Sequence, residues 1–250
     1  MSQMGTPWDA RTYDETSEPQ QAWASEVVKR LNGIPPDATV LDVGCGTGRV
    51  TEALLSLLPE GRVLALDASS DMVALAQQRL GGRAEVWCQD VLDLSLEQAV
   101  DAIISTATLH WVPDHDQLWP RLARALRPGG ALEIQCGGAG NIRRVRDVID
   151  AVARKLAPEL VGWSPWMFAS PQETDRRLQQ AGFVGIRCWL EERPTYPQDV
   201  TAFVPTSILA AHLERLPLEK RRQFADAVVR RVRLPLDYVR LNVSALRAPA

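Results

Sequence analysis

The residues best placed to do chemistry are three glycines and three acids. Asp42-Val43-Gly44-Cys45-Gly46-Thr47-Gly48 stands where a β-branched run gives way to a helical spacing. Glycines at such a strand-to-helix turn reach left-handed backbone angles and let a ligand approach the main chain. Several nucleotide binders share a glycine-rich turn, but two details narrow the choice. The spacing is G-x-G-x-G, with Arg49 where the last glycine of G-x-G-x-x-G would stand, and Asp42 lies two residues ahead of Gly44. A carboxylate there repels a pyrophosphate and attracts an ammonium group. Asp67 ends the next strand, about 20 residues on, where an acid accepts from a ribose hydroxyl pair. Asp90, in Gln89-Asp90-Val91, ends a third strand and can accept from an adenine amino group. Acids at three successive strand ends describe a ligand with a cationic amino-acid part, a ribose and an adenine.

Such side chains need a parallel sheet to bring them to one edge. Short apolar runs at Thr39 to Val43, Arg62 to Leu66, Ala84 to Cys88, Ala99 to Ser105 and Ala131 to Cys136 read as strands. Helical spacings at Arg49 to Leu58, Ser69 to Leu80 and His115 to Leu126 alternate with them, the last closed by Arg127-Pro128-Gly129-Gly130. Ser69 or Ser70 caps the second of these helices and Gly81-Gly82 ends it. The alternation predicts right-handed crossovers and a Rossmann-like, doubly wound α/β fold. Beyond Cys136 a helix is expected over Asn141 to Leu156 and an irregular aromatic stretch over Pro158 to Phe168. Ser170-Pro171-Gln172-Glu173 is a capping-box start for a helix that ends at Gly182. Val184 to Leu190 and Leu236 to Leu246 supply the last strands. Residues 137–168 and 194–232 are expected to cover the sheet's carboxyl edge within one domain spanning 1–250.

This combination resembles the class I S-adenosylmethionine-dependent methyltransferases, over Thr39 to Cys136 above all. Leu126-Arg127-Pro128-Gly129-Gly130 is a further landmark, and Ser170 to Phe183 follows the pattern S-x-x-E-x-x-x-x-L-x-x-A-G-F. Trp8-Asp9-x-x-x-Tyr13 and Leu109-His110-Trp111-Val112-Pro113-Asp114 are similar to the trans-aconitate 2-methyltransferase-like group. The resemblance implies a mostly parallel sheet of seven strands with the last antiparallel, and S-adenosylmethionine as cofactor, released as S-adenosylhomocysteine. It implies cofactor contacts from Asp42, Gly44, Cys45, Gly46, Gly48, Asp67, Ala68, Met72, Asp90, Val91 and Ser105.

The acceptor side is less sharply written. Tyr13 and Trp8 could fold over the sulfonium, while His110 and Trp111 follow the fourth strand, where the methyl group should sit. Arg143, Arg144 and Arg146 form a basic run, of which Arg143 and Arg146 share a helix face and would clamp a carboxylate. Trp163 and Trp166 would cover the pocket, whereas His115 is expected at the surface. A carboxylate acceptor is ionised at neutral pH and needs no general base. A carbon or phenol acceptor would need one, with His110 or Tyr13 as candidates.

Lys+Arg 28 against Asp+Glu 31 leaves a net charge of -3, which offers no general attraction to nucleic acid. Ser105-Thr106-Ala107-Thr108 also lacks the [DN]-P-P-[YF] pattern of nucleobase amino methylases. Four dispersed cysteines, the absence of a secretory n- and h-region and of a long apolar stretch suggest a cytoplasmic protein with no metal site and no membrane. The expectation is O-methylation of a small carboxylic acid by a monomer or homodimer. Methylation of a natural-product scaffold at carbon or oxygen stands next. A nicotinamide-dependent oxidoreductase and a non-catalytic cofactor-binding protein are the readings from other classes.

Overall fold

A helix, α1 (Glu18–Arg30), precedes β1 (Thr39–Val43), whose apolar run lies in the middle of the sheet. Next come α2 (Arg49–Leu57), β2 (Arg62–Asp67), α3 (Ser70–Leu80), β3 (Glu85–Cys88) and β4 (Val100–Thr106). The chain continues through α4 (His115–Ala125), β5 (Leu126–Gly137), α5 (Arg143–Leu156), α6 (Pro171–Gln180) and β6 (Phe183–Glu192). A helical stretch follows: α7 (Val200–Phe203), a π-helical turn Val204–Ile208, α8 (Ala210–Glu214) and α9 (Leu218–Val229). β7 (Val239–Arg247) comes last. The computed structural model describes residues 18–249.

The strands form one sheet in the order β3-β2-β1-β4-β5-β7-β6. The first five pair in parallel, and β7 runs antiparallel between β5 and β6. Chain direction across the sheet reverses at β1, which has β2 on one side and β4 on the other. Above that reversal, at the carboxyl ends of the strands, an open α/β sheet has its crevice.

Alternation along the strands sorts side chains onto two faces. Leu41, Val43, Leu64, Leu66 and Ile103 meet Leu118 and Leu122 of α4 and Leu178 of α6. Val40, Val63, Ala102 and Ile104 meet Val27 of α1, Leu31 just beyond it and Leu54 of α2. A third cluster joins α5, α9 and the π turn through Ile149, Val152, Val204, Phe224 and Val228, so these helices have a core of their own. The capping signals act as expected. Ser69 Oγ accepts from Met72 N, Gly81 closes α3 in the left-handed region, and Ser170 and Glu173 form a reciprocal capping box. Caps of this kind contribute about 1 kcal/mol each.

Two local expectations are corrected. Arg127 to Gly130 is no terminating turn but a bulge inside β5. Leu126 pairs with Val100 and Ala131 with Ala102, so these four residues stand opposite Asp101 alone. Gly129, at φ 79°, lets the chain loop out, and Arg127 bonds the Asp101 carboxylate. His115 is buried, because it opens the apolar stripe of α4; its Nε2 bonds Leu109 O at 2.9 Å and its ring meets the edge of Trp119.

The α1 face of β5 and β7 is polar. Asn242 Oδ1 accepts from Arg30 Nη2 at 2.6 Å and from Gln135 Nε2 at 3.0 Å, and Ser244 donates to Glu133 at 2.7 Å. Arg240, Asn242 and Ser244 thus alternate with Leu241, Val243 and Ala245, which face the main core. Among the described residues no helix is long and apolar enough to cross a membrane.

Candidate functional site

The turn between β1 and α2 hangs from β2: Gly44 N and Cys45 N both donate to Leu66 O, at 2.8 and 3.0 Å. Its three glycines all have positive φ, each in different surroundings. A Cβ on Gly44 would come 2.1 Å from Thr108 Cγ2, so this glycine admits the loop after β4. A Cβ on Gly48 would press on Ala76 at 3.2 Å, so this one lets α3 pack against the start of α2. Among the described residues Gly46 has nothing within 4 Å of its Cβ position, leaving a cradle that a side chain would fill.

Asp42 lies beneath the turn, buried. One oxygen accepts from Thr51 Oγ1 at 2.7 Å, while Oδ1 has no hydrogen-bond partner. It does not cap α2, whose N-cap is Gly48 without a side-chain bond. Burial is the main reason its pKa rises to about 7, with the Asp67 charge adding to it and the Thr51 bond opposing it. A cation in the groove above would relieve that cost. Asp67 is half-buried, and its two oxygens accept from Gly46 N and Ser69 N, each at 2.9 Å. It therefore ties the glycine turn to the start of α3 while standing at the strand end where a ribose would lie. Its pKa is raised because burial outweighs the two N–H bonds. Asp90 accepts from Leu92 N at 2.9 Å, capping the short turn Val91–Asp93.

Among the other expected cofactor contacts, Cys45, Met72 and Val91 are buried around the groove and Ala68 is exposed at its edge. Ser105 is fully buried, and its hydroxyl donates to Val43 O at 2.7 Å, bracing β4 against the end of β1. An orphaned buried carboxylate oxygen, an open glycine cradle and acids at neighbouring strand ends fit a cofactor with a cationic amino-acid end and an adenosine. A dinucleotide fits less well, since its pyrophosphate would lie over Asp42.

Further along the same sheet edge is a cavity of about 40 Å³, lined by Ala107, His110, Trp111, Asn141, Trp166 and Phe168 from one side. Ile142, Ser207, Ile208, Tyr238 and Arg240 complete its wall. That volume holds a few water molecules. Two of its residues, Ala107 (φ 56°) and Ile142 (φ 45°), have left-handed backbones although neither is glycine. Such strain, roughly 1–3 kcal/mol per residue, persists where surrounding structure enforces it, often at functional sites. The walls are aromatic. Phe168 stacks on His110 and on Trp166, and Trp166 leans on Trp111, with centroids 5.5–5.7 Å apart. Met167 N donates to His110 O at 2.8 Å, pinning the cover to the loop after β4.

His110 Nδ1 accepts from Gly137 N at 3.2 Å, so the neutral ring carries its proton on Nε2. Burial, reinforced by the Arg240 charge and by His115, holds its pKa well below the ordinary histidine value. It is a hydrogen-bond donor here and a poor general base. Arg143 and Arg146 are exposed on the outer face of α5, whose Val145, Ile149 and Val152 point inward. Neither lines the cavity, although Arg146 lies over the Phe168 ring at 5.7 Å. Among the described residues the cation in the wall is Arg240, 2% exposed, with Trp23 of α1 against its guanidinium at 4.9 Å. Trp163 stands one layer back, against His212 and Arg215. Tyr13 and Trp8 lie outside the described residues. Arg240, Ser207 and Asn141 escape a sequence reading; the one signal is a polar row, Arg240, Asn242 and Ser244, in an otherwise apolar strand.

Comparison with known proteins matches this geometry. A methyltransferase-domain family model covers residues 40–130. Trans-aconitate 2-methyltransferase of Methylobacterium nodulans is 33% identical over 183 residues, 73% of this chain and 67% of that protein. Malonyl-[acyl-carrier protein] O-methyltransferase of Priestia megaterium is 31% identical over 59% of this chain and 55% of its own length. The matched spans thus cover between about half and two thirds of these relatives. Phosphoethanolamine N-methyltransferase 2 of Haemonchus contortus, solved with S-adenosyl-L-methionine, superposes with a TM-score of 0.66. That match covers 96% of this chain and 57% of the other at 17% identity, a likeness of fold. By sequence, sheet order and the glycine turn, the chain belongs to the class I S-adenosylmethionine-dependent methyltransferases, in the group similar to trans-aconitate 2-methyltransferase.

Proposed function

We propose that this protein transfers a methyl group from S-adenosylmethionine to a carboxylate oxygen of a small organic acid. The observation that carries the reading is the makeup of the cavity wall. Arg240, Ser207, Asn141 and His110 offer donors among aromatic faces, and no Asp or Glu among the described residues lines it. Such a wall suits an anion with a carbon skeleton. The names of the relatives agree, since one acts on trans-aconitate and another on a malonyl group.

When bound, the cofactor supplies a sulfonium methyl group open to in-line displacement. The chain's own work is positioning and exclusion of water. The Gly46 cradle and the Asp67 strand end would seat the adenosine, with Asp90 beside the base and the Asp42 charge beneath the amino-acid end. A carboxylate acceptor is already ionised at neutral pH, and His110, protonated on Nε2, would orient it without removing a proton. Closure by Trp166, Phe168 and Ser207 favours a free small acid over a polymer such as nucleic acid. The enzyme is read as cytoplasmic, working as a monomer or homodimer.

The test uses methyl-labelled S-adenosylmethionine with a panel of small carboxylic acids. A methyl ester releases its label as methanol in mild alkali. Label that is alkali-stable throughout would place the methyl group on nitrogen, carbon or a phenol and overturn the reading.

A further inference from the structure

The two edges of the sheet differ. β3 is four residues long, and its Glu85 is paired with Arg62 at 2.8 Å. β6 is ten residues long, and among the described residues no strand pairs with its outer side. Thr195 and Leu236 exchange both backbone bonds, at 3.0 and 2.8 Å, and Arg193 N donates to Tyr238 O at 2.8 Å. In an antiparallel pair, alternate residues turn N–H and C=O to the same neighbour. Arg187, Trp189 and Glu191 therefore direct theirs to β7, in register with Ser244, Asn242 and Arg240. Ile186, Cys188, Leu190 and Glu192 turn theirs outward. This outward run is bounded at one end by the register shift between Val184 and Arg187. At the other end stands Pro194, which has no N–H.

A groove of about 560 Å³ lies along this edge, away from the cofactor turn and the aromatic cavity. One wall is the four consecutive residues Ile186 to Trp189. Their side chains alternate between the two faces of the sheet, so the groove follows the backbone itself. Pro171, Gln172 and Asp175 of α6 form the other wall. An open edge is a template for a further strand, and folded proteins commonly blunt it with charge, proline or shortness. The middle of β6, Cys188-Trp189-Leu190, has no charge, and Leu190 is 40% exposed.

We propose that the occupant of this edge is β6 of a second copy, added antiparallel about a two-fold axis at Trp189, so that two seven-stranded sheets become one. The outward run from Ile186 to Glu192 has its midpoint at Trp189. A two-fold there sets Ile186 against the partner's Glu192 and Cys188 against the partner's Leu190, which pairs every outward residue. Leu190 then enters the groove beside Ile186 and Cys188, both packed on the main core. The same register sets Arg187 against the partner's Glu191, a charge match that played no part in choosing the axis. Arg187 is exposed and shares the Trp189 ring with Arg30, the two guanidinium groups standing 5.3 and 4.9 Å from its centre. An acid from outside offsets that crowding. Glu191 lies on the same face, 2.7 Å from Arg193. Moving the axis to Cys188 carries Glu192 into the register shift. Moving it to Leu190 sets Ile186 against the partner's Pro194 and Arg187 against the partner's Arg193. The two-fold reverses strand direction, so the two crevices open at opposite ends of the joined sheet and each copy keeps its site whole. The interface is thus independent of which acceptor is methylated.

The experiment is sedimentation equilibrium of the full chain across the micromolar range. The wild type should sediment as a dimer. Arg187→Glu and Glu191→Arg each place like charges opposite one another at two points, and each should weaken the dimer by about a hundredfold. An equimolar mixture of the two variants should restore it, because every facing pair is then opposite in sign. Thermal melting reports whether each variant folds. Arg187→Glu, at an exposed side chain, carries the test if Glu191→Arg, which also loses the Arg193 pair, does not. A wild type that stays monomeric, as it would if the edge served a strand of another protein, overturns the proposal. A dimer that Arg187→Glu leaves intact puts the contact elsewhere and overturns it too. Weakening by both variants without rescue in the mixture overturns the pairing about Trp189.

Discussion

The two halves of the proposed site are built by opposite means. The cofactor half is local: Asp42, Gly44, Gly46 and Gly48 lie within seven residues, and Asp67 bonds Gly46 N directly. Its geometry is mostly backbone, set by left-handed glycines and strand ends. The acceptor half is assembled from the loop after β4, the start of α5, the aromatic cover, the π turn and the start of β7. Its geometry is mostly side chain, held by stacking and burial. A backbone site leaves its mark as spacing in one stretch of sequence. A side-chain site leaves single residues scattered over a hundred positions, each with an innocent structural reading.

The contrast can be broken most severely at Gly46. A valine there would fill the cradle and strain a residue at φ 54°, yet its Cβ would meet no atom of the described residues within 4 Å. Affinity for S-adenosylhomocysteine should fall beyond about a hundredfold, for a stability loss of roughly 1–2 kcal/mol. Gly44→Ala should behave differently, because its Cβ collides with Thr108. Overpacking of roughly 1–3 kcal/mol should appear in the melting curve even without ligand. Retained affinity in Gly46→Val would move the cofactor away from the turn.

Next in size is Asp67→Ala, which removes a charged acceptor from the ribose position. Cofactor affinity should weaken by about 1.5–3 kcal/mol, or tenfold to a hundredfold, by calorimetry. An unchanged constant would leave Asp67 as a brace between Gly46 and Ser69 and nothing more.

Asp42 gives a pH signature. Its pKa of about 7 in the folded state exceeds the ordinary 3.8, so the folded chain holds a proton that the unfolded chain releases over that window. Stability from this group is therefore greatest in acid. It falls as pH rises from about 4 to 7, with a limiting slope of roughly 1.4 kcal/mol for each step of one in pH. In urea titrations, the difference between wild type and Asp42→Asn should carry this slope. An ammonium group above the turn favours the carboxylate, so stabilisation by cofactor should be larger at pH 8 than at pH 5. Parallel pH curves for wild type and variant would refute the burial argument.

The smallest expected effect sharpens the acceptor side. Arg143→Met should leave kcat/KM within about twofold of wild type, since the side chain is exposed on the outer face of α5. Loss of acceptor affinity in that variant, measured with cofactor saturating, would return the clamp to α5 and remove Arg240 from the role.

What can be read from the residues alone follows the same division. Strand and helix order are legible along the described chain because apolar runs, Gly81 and the Ser170–Glu173 box are local signals. The Arg127 to Gly130 bulge is not, since a Pro-Gly-Gly run reads as a stop unless the pairing of Leu126 with Val100 is known. His115 looks like a surface residue because the packing that buries it comes from elsewhere in the fold. Arg143 and Arg146 draw attention as a cluster, but helical period turns them outward while Val145 turns in. Arg240 passes unnoticed because alternation in β7 resembles a strand with one wet face. That face is instead covered by α1, through Arg30 and Trp23.

The place of β7 also has a bearing on the order in which the molecule becomes competent. It is inserted between β5 and β6, although β6 precedes it in the chain. Until β7 arrives, β6 has no neighbour through which to join the sheet, while the groove formed by Asp42 to Asp90 uses only strands already paired. A shift of one residue in its register would turn Arg240 into the apolar core and Leu241 toward the cavity. A chain halted before that insertion, or misregistered in it, would have its cofactor groove in place with no seat for an acceptor. On the function proposed above, the strand that completes the sheet is thus also the one that separates holding a reactive methyl group from handing it on.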